Sequence, residues 1–452
     1  MADPEFQPPE FGTDGLRGRA GQPPMDPETL RRVGAAVGLF LQKTGPELKR
    51  VLVGNDGRES SDWILEALAQ GLGATDVVVH DVGLITTPGL SFLTRTEPAV
   101  AGIMISASHN EAVDNGIKIF QSDGSKLADA AEAEIAALTT DIEFQPKLLP
   151  NIKTSWDLRR KYEEHLINMF PDLDLTGLRI VVDAANGAAS ETAPVVISSL
   201  GAEVLAIACE PDGNNINDGV GTLHPEHLAR AVVENDADLG VCLDGDGDRS
   251  MFADRGGGAH DGDEVMFVLG RHMHKAGQLP GDTVVATVMS NLGLKKGLAE
   301  HGIALCETKV GDRAVVQAMR AGGFALGGEQ SGHIILAAEG NYTGDGIVTA
   351  LKLLSVADLR QQGLAAACVG FHCYPQLLIN VPVHHKPALQ SLLPVQETVS
   401  SAEGSLGDEG RVVLRYSGTE NVCRVMVEGP TEQVVHDHAE RIADSVRKEI
   451  GA

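Results

Sequence analysis

The chain has 452 residues, 43% of them apolar and only 4% aromatic, and carries 36 Lys and Arg against 63 Asp and Glu for a net charge of −27. That length exceeds what one hydrophobic core usually serves and asks for about three domains of ordinary size, while the aliphatic composition favours a core of Ala, Val, Leu and Ile, as in alternating α/β proteins. The charge disfavours partnership with nucleic acid or an acidic membrane surface, so any phosphate site must gather its cations locally.

In chain order, an apolar run, a polar Gly-containing loop, a helical stretch, a Gly and a second apolar run recur three times, the βα pattern of a parallel sheet. The first copy opens at Val51-Leu52-Val53 and closes at Val77-Val78-Val79; the second opens at Ile180-Val181-Val182 and closes at Val204-Leu205; the third opens at Val284-Val285-Ala286 and closes at Ile303-Ala304-Leu305. Three related α/β layers in series are expected. From Cys373 onward the pattern changes to short strands at Val412–Leu414 and Val425–Val427, then a helix after Pro430 expected to bury Val434, His438, Ile442, Val446 and Ile450 on one face. No apolar run reaches the ~18 residues of a membrane span. The six cysteines form no Cys-x-x-Cys pair and read as buried thiols of a reducing cytoplasm.

Four loops carry candidate chemistry. Ser108, between small residues at the tip of the run Val100 to Ile105, stands where open α/β sheets place their ligands and suits a nucleophile; a polar turn has the same look, and the lack of Gly-x-Ser-x-Gly argues against acyl transfer. Next, Asp244, Asp246 and Asp248 alternate with glycines directly after an apolar strand, so the three carboxylates can converge on one hard cation, with Arg249 beside a bridged phosphate. An EF-hand is excluded because its sixth and twelfth positions hold Arg249 and Arg255. Third, Gly328-Glu329-Gln330-Ser331-Gly332-His333 offers carboxylate, amide and hydroxyl to the alternating groups of a sugar, or is a polar hairpin turn. Fourth, Arg415, Ser417, Gly418, Thr419 and Arg424 compose a cationic nest for phosphate. Neither a Walker loop nor a dinucleotide fingerprint is present.

These loops occur together with Phe11-Gly12-Thr13-Asp14-Gly15-Leu16-Arg17-Gly18, Asp114-Asn115-Gly116-Ile117-Lys118, Asn215-Ile216-Asn217, His224-Pro225-Glu226 and Val310-Gly311-Asp312-Arg313. In that order they resemble the α-D-phosphohexomutase family over essentially the whole chain, and within it the bacterial members that select glucosamine phosphate. The resemblance implies three related α/β domains (1–155, 156–258, 259–371) and a smaller C-terminal α+β domain (372–452) around a central cleft. It implies a cytoplasmic isomerase that exchanges the 6- and 1-phosphates of glucosamine, feeding UDP-N-acetylglucosamine and cell-wall synthesis. Phosphorylated Ser108 would join Asp244, Asp246 and Asp248 on Mg²⁺, with glucosamine 1,6-bisphosphate or another hexose bisphosphate as activator. Arg17, His109 and Lys118 would carry protons and stabilise charge together with Arg249. Glu329 and Ser331 would read sugar hydroxyls, and Arg415, Ser417, Gly418, Thr419 and Arg424 would hold the other phosphate. A small sugar phosphate is the only partner implied, and the choice between monomer and homodimer stays open. Two positions depart from the family pattern, Glu111 and Tyr416, each where proline is common. Gln330 favours glucosamine over glucose or mannose phosphate, which remain the alternatives within the family. A phosphatase using Asp244 as nucleophile and a sugar-phosphate sensor are the alternatives outside it.

Overall fold

A computed structural model of the chain describes residues 6–12, 14–44, 50–140, 150–337, 341–356, 363–417 and 420–452. None of the described helices is long and apolar enough to cross a membrane.

The first sheet contains β1 (Leu16–Arg19), β2 (Arg50–Asn55), β3 (Val78–Leu84), β4 (Ala101–Ile105), β5 (Asp114–Gln121) and β6 (Ile152–Thr154), in the order β1-β5-β4-β2-β3-β6. Its heart is β2, flanked by parallel β3 and β4, with β5 antiparallel against β4. The second sheet repeats this plan: β7 (Arg179–Asp183) lies between parallel β8 (Glu203–Ile207) and β9 (Leu239–Leu243), and β10 (Ser250–Asp254) runs antiparallel on β9, followed by β11 (Ala259–His260). The third sheet repeats it again, with β12 (Thr283–Thr287) between β13 (Ala304–Thr308) and β14 (Leu326–Gly328), and β15 (Ile334–Leu336) antiparallel on β14. The opening apolar runs expected at 51, 180 and 284 are thus the central strands of the three sheets. They read as continuous Val and Ile because helices cover both faces.

The shared topology fixes where the chemistry sits. In each unit the third parallel strand turns directly into the antiparallel fourth, and the three turns hold Ser108, the Asp244–Asp248 carboxylates and Glu329 to His333. The C-terminal sheet, β16 (Gln376–Pro382), β17 (Arg411–Tyr416) and β18 (Val422–Glu428), is antiparallel in the order β16-β18-β17. Its β17–β18 turn carries the fourth loop.

The cores do not divide as evenly as the sheets. Leu30, Val51, Ile103 and Ile117 belong to a core of the first unit, and Val381, Val425 and Ile442 to one of the C-terminal unit. The second and third units share one continuous core running from Tyr162 and Ile180 through Phe267 to Leu351. The last helix, Glu432–Ile450, buries Val435, Ala439, Ile442, Ala443, Val446 and Ile450, leaving Val434 and His438 half-buried. Steps of four residues advance about 400°, so a strict four-residue stripe drifts off the buried face within three turns. The cysteines likewise depart from uniform burial: Cys242, Cys368 and Cys423 are buried, Cys209 and Cys306 half-buried, and Cys373 exposed.

Helices Pro27–Thr44 and Ser61–Gly73 cross with backbones nearly touching: a β-carbon on Gly71 would lie 2.1 Å from the carbonyl oxygen of Arg31 and 2.6 Å from the nitrogen of Ala35. Alanine is the better helix former by about 1 kcal/mol, but overpacking of this kind costs about 1–3 kcal/mol, and the clash is with backbone that cannot swing away. Gly71→Ala should therefore lower the melting temperature of the first unit; a thermal melt with an unchanged or raised midpoint would refute this packing.

Candidate active site

Ser108 follows β4 in the left-handed region, at φ +54°, and is buried. A non-glycine residue stays there only when its surroundings over-determine it, and here they do. The Ser108 amide donates to Ser106 Oγ at 2.8 Å, and Ser106 Oγ donates to Asp56 Oδ2 at 2.6 Å. The buried Arg58 guanidinium donates to the carbonyls of Ser108 (3.0 Å), Asn110 (2.9 Å) and Asp114 (2.9 Å), and also to that of Glu111. Asn217, reaching over from the second unit, donates to the Ser108 carbonyl at 2.9 Å and to that of Asn110 at 3.0 Å. Glu111 keeps its side chain in solvent while Arg58 grips its carbonyl, so the order that proline would lend this loop is supplied by a cation.

So held, the Ser108 hydroxyl donates to Asp244 Oδ2 at 2.7 Å. Asp244 and Asp246 are fully buried and Asp248 nearly so, and the three offer oxygens all within 4.8 Å of one another. Asp246 Oδ1 and Asp248 Oδ1 are buried without a hydrogen-bond partner. Orphaned carboxylate oxygens in a close cluster of oxygen donors fit a hard divalent cation. Lys118 on β5 neutralises part of the charge, its Nζ lying 2.7 Å from Asp246, 3.1 Å from Asp14 and 3.7 Å from Asp248. Burial and then the neighbouring Asp248 and Asp246 push the Asp244 carboxyl well above the usual range. Burial opposes ionisation of Asp248 too, yet Lys118 and His333, whose Nδ1 is 3.6 Å away, hold it well below that range. For Lys118 burial is outweighed by Asp14, Asp246 and Asp248, which keep the ammonium charged far above its ordinary range. His109, with Nδ1 3.4 Å from Ser108 Oγ, is driven down to about 4 by burial and by Arg249 and Arg17, so its ring is neutral. Arg249 stands 4.0 Å from Asp244 and 3.8 Å from Asp248. Arg17, on β1 next to β5, pairs with Asp14 and leaves a buried Nε unpartnered.

The third loop is anchored beside the second by its backbone, the Gly332 carbonyl accepting from the Ser250 amide at 3.0 Å. Glu329 accepts from the Gly311 amide at 3.1 Å and draws on the charges of both Arg249 and Arg415. Gln330 ties its side chain to Asp261, while Ser331 stays half-buried. In the fourth loop Arg415 and Arg424 stand directly opposite each other across β17 and β18, each with a buried Nε lacking a partner. Like charges so placed repel, and burial and Arg424 together lower the Arg415 guanidinium. Ser417 holds the turn, its amide donating to the Val422 carbonyl at 2.9 Å and its hydroxyl accepting from the Glu420 amide at 3.2 Å. Tyr416 ends the strand opposite Cys423; the adjoining ladder bond runs from the Ser417 amide to Val422, so the Tyr416 amide points away from β18 on the sheet's edge, a position proline also tolerates. Gly418 and Thr419 lie outside the described residues.

The structure brings Arg17, Ser108, His109, Lys118, Asp244, Asp246, Asp248 and Arg249 into one buried charge network, with Glu329 in electrostatic reach of it and of Arg415. A cavity of about 530 Å³ lies alongside, between the first and third units, its wall including Asp248, His333, Lys126, Asp312 and Arg313. Lys126 bridges Asp14 to Asp312 across it, 2.5 Å from the latter. Sequence reasoning did not assign Asp56, Arg58 or Lys126 a place at the site, and named Asn217 without a role. Their one signal was Asp56-Gly57-Arg58 after β2, the same sheet end as Ser108.

Sequence models of four phosphoglucomutase/phosphomannomutase domains match the chain: alpha/beta/alpha domain I over residues 8–146, domain II over 160–257, domain III over 261–371 and the C-terminal domain over 378–445. The phosphoglucosamine mutase of Ligilactobacillus salivarius is 44% identical over 98% of this chain and 99% of its own. That of Paracoccus denitrificans is 45% identical over 97% and 98%. Among solved structures, a phosphoglucomutase/phosphomannomutase family protein from Burkholderia thailandensis superposes with a TM-score of 0.80 at 23% identity, covering 98% of this chain and 100% of that one. The Aspergillus fumigatus N-acetylphosphoglucosamine mutase in complex with GlcNAc-6P and magnesium gives 0.67 at 18% identity, over 99% and 96%.

The facing arginines make a prediction of two opposite signs. Arg415→Gln should raise the KM for a sugar phosphate about tenfold or more, since a charged hydrogen bond contributes about 1.5–3 kcal/mol. It should leave the unliganded fold as stable or more stable by a few tenths of a kcal/mol, because a cross-strand repulsion is removed. Steady-state kinetics beside a thermal melt test both; an unchanged KM would remove this loop from the site.

Proposed function

The chain belongs to the phosphoglucomutase/phosphomannomutase family, and from that footing we propose that it interconverts glucosamine 6-phosphate and glucosamine 1-phosphate through a phosphorylated Ser108. One observation carries the reading. The Ser108 hydroxyl is hydrogen-bonded to a carboxylate of a buried three-aspartate cluster, and full-length relatives at 44% and 45% identity are phosphoglucosamine mutases.

Asp244, Asp246 and Asp248 would hold Mg²⁺, which when bound withdraws charge from the phosphoryl oxygens. Around it the chain's own residues divide the work. Arg58 and Asn217 fix the serine turn, so that Ser108 Oγ keeps one position whether it gives or receives. In the first transfer the Ser108 Oγ–P bond breaks as a sugar hydroxyl oxygen bonds to phosphorus and gives up its proton, leaving a 1,6-bisphosphate. Lys118, locked in its charged form, stabilises charge rather than accepting that proton; the neutral ring of His109, beside Ser108, has a free nitrogen to accept it. The bisphosphate then presents its other phosphate to Ser108 Oγ, which takes the phosphoryl back. Arg415, Arg424 and Ser417 hold whichever phosphate is not being transferred, and Glu329 and Ser331 meet the hydroxyls in both orientations. A hexose bisphosphate would prime the serine. The proposed domain limits are 1–155, 156–258, 259–371 and 372–452, and the proposed compartment is the cytoplasm.

With the protein primed by a hexose 1,6-bisphosphate and loaded with Mg²⁺, turnover should be highest on glucosamine 6-phosphate when compared side by side with glucose and mannose 6-phosphates. A preference for glucose or mannose phosphate would overturn the substrate assignment. Ser108→Ala should reduce mutase turnover by at least about a thousandfold, the scale seen when a nucleophile is removed; release of inorganic phosphate by that variant would point instead to Asp244 as nucleophile. Mg²⁺ at about 100 times its Kd should stabilise the fold by about 2.7 kcal/mol, and Asp246→Asn should abolish most of that gain in a melt with and without the ion.

A further inference from the structure

A second cluster of ligating side chains lies where the second unit passes into the third. Asp254 ends β10, His260 ends β11, Glu264 stands in the first turn of helix Gly262–Lys275, and Cys368 follows the short helix Gly363–Ala367. His260 and Cys368 are 7% and 8% exposed. His260 Nδ1 is 2.9 Å from Glu264 Oε1 and 3.5 Å from Cys368 Sγ, and the ligand atoms of the three residues all lie within 4.8 Å of one another. On the far side of the ring, Nε2 is 3.1 Å from Asp254 Oδ2. The other oxygen of Asp254 is occupied by the amides of Gly256 (2.8 Å) and Gly258 (2.9 Å), which fix that carboxylate in place.

We propose that His260 Nδ1, Glu264 and Cys368 form a binding site for Zn²⁺ or a similar borderline transition metal, separate from the aspartate cluster. The chemistry is carried by the donor set and its orientation. Nitrogen, oxygen and sulfur together suit Zn²⁺ and are poor ligands for Mg²⁺. With bonds of about 2.0–2.3 Å, tetrahedral zinc sets its ligands about 3.3–3.7 Å apart, so the two distances from Nδ1, 2.9 and 3.5 Å, need to change by less than about half an ångström. Asp254 receives the Nε2 proton and so presents Nδ1 to the ion, the carboxylate–histidine–metal arrangement that raises ligand basicity and fixes the tautomer. With three protein ligands a fourth position is left for water.

The balance of the step is defined. The ligands bind as neutral imidazole, carboxylate and thiolate, so the ion displaces the thiol proton of Cys368 together with any proton carried on Nδ1. The site ties together elements that meet only in the folded chain, and the helix it anchors begins at Gly262, whose amide donates to the Gln330 carbonyl of the sugar loop at 3.0 Å.

The test uses the full chain saturated with Mg²⁺, so that the aspartates are filled, and titrates it with Co²⁺ as a spectroscopic stand-in for zinc. One equivalent should produce thiolate-to-cobalt charge transfer in the near ultraviolet with the visible bands of tetrahedral cobalt. Zn²⁺ should bleach them, and calorimetry in buffers of different ionisation enthalpy should show protons released on binding. Cys368→Ser should abolish the charge-transfer band, and Asp254→Asn should weaken affinity about 10–100-fold. A wild-type protein that takes up cobalt without a thiolate band, or a band that survives in Cys368→Ser, would overturn the proposal and leave the cluster as a hydrogen-bonded histidine.

Discussion

Concentrated negative charge in a dry place is the constraint around which this molecule is organised. Asp244, Asp246 and Asp248 are buried together, with Asp14 close by. Isolated, such a group would not stay ionised, because burial of an unpaired carboxylate costs several kcal/mol. The protein answers with cations drawn from distant parts of the sequence: Arg17 and Lys118 from adjacent strands of the first sheet, Arg249 from the acidic turn itself, and His333 from the third unit. Even so, two carboxylate oxygens are left without partners. The cluster is therefore electrostatically incomplete, and its unpartnered oxygens suit a hard cation.

Seen from this centre, the threefold repetition of the sheet plan has a plain physical use. Each unit turns from a parallel strand into an antiparallel one at the same sheet end, and each such turn offers a different chemistry: a hydroxyl, three carboxylates, a carboxylate–amide–hydroxyl loop. Repetition supplies the placement and the turn residues supply the function. The C-terminal unit departs from the plan and adds a pair of facing arginines whose mutual repulsion a bound anion would relieve.

Much of this could be read from the residues. The apolar runs at 51, 180 and 284 mark central strands because two-sided burial leaves no polar alternation, and Asp-Gly-Asp-Gly-Asp announces convergence because glycine lets the carboxylates approach. What sequence did not disclose was support acting at long range. Arg58 holds the serine turn from about 50 positions away, a relation no local pattern encodes. His438 was misplaced because a four-residue step only approximates the helical period, and Cys373 because an apolar neighbourhood in sequence need not be an interior in space. The shared core of the second and third units was equally hidden, since each stretch has the length and pattern of an independent layer.

That shared core bears on how the enzyme can be taken apart and rebuilt. The acidic turn and the sugar loop ride on one shared core, whereas the serine loop belongs to a unit with its own core, meeting the second through a smaller cluster in which Leu158 and Ala188 lie with Leu90 and Leu93. Exchange of segments between homologues should therefore succeed at the borders of the first and last units and fail within the middle pair. The natural modules for recombination are three, although the sheets number four.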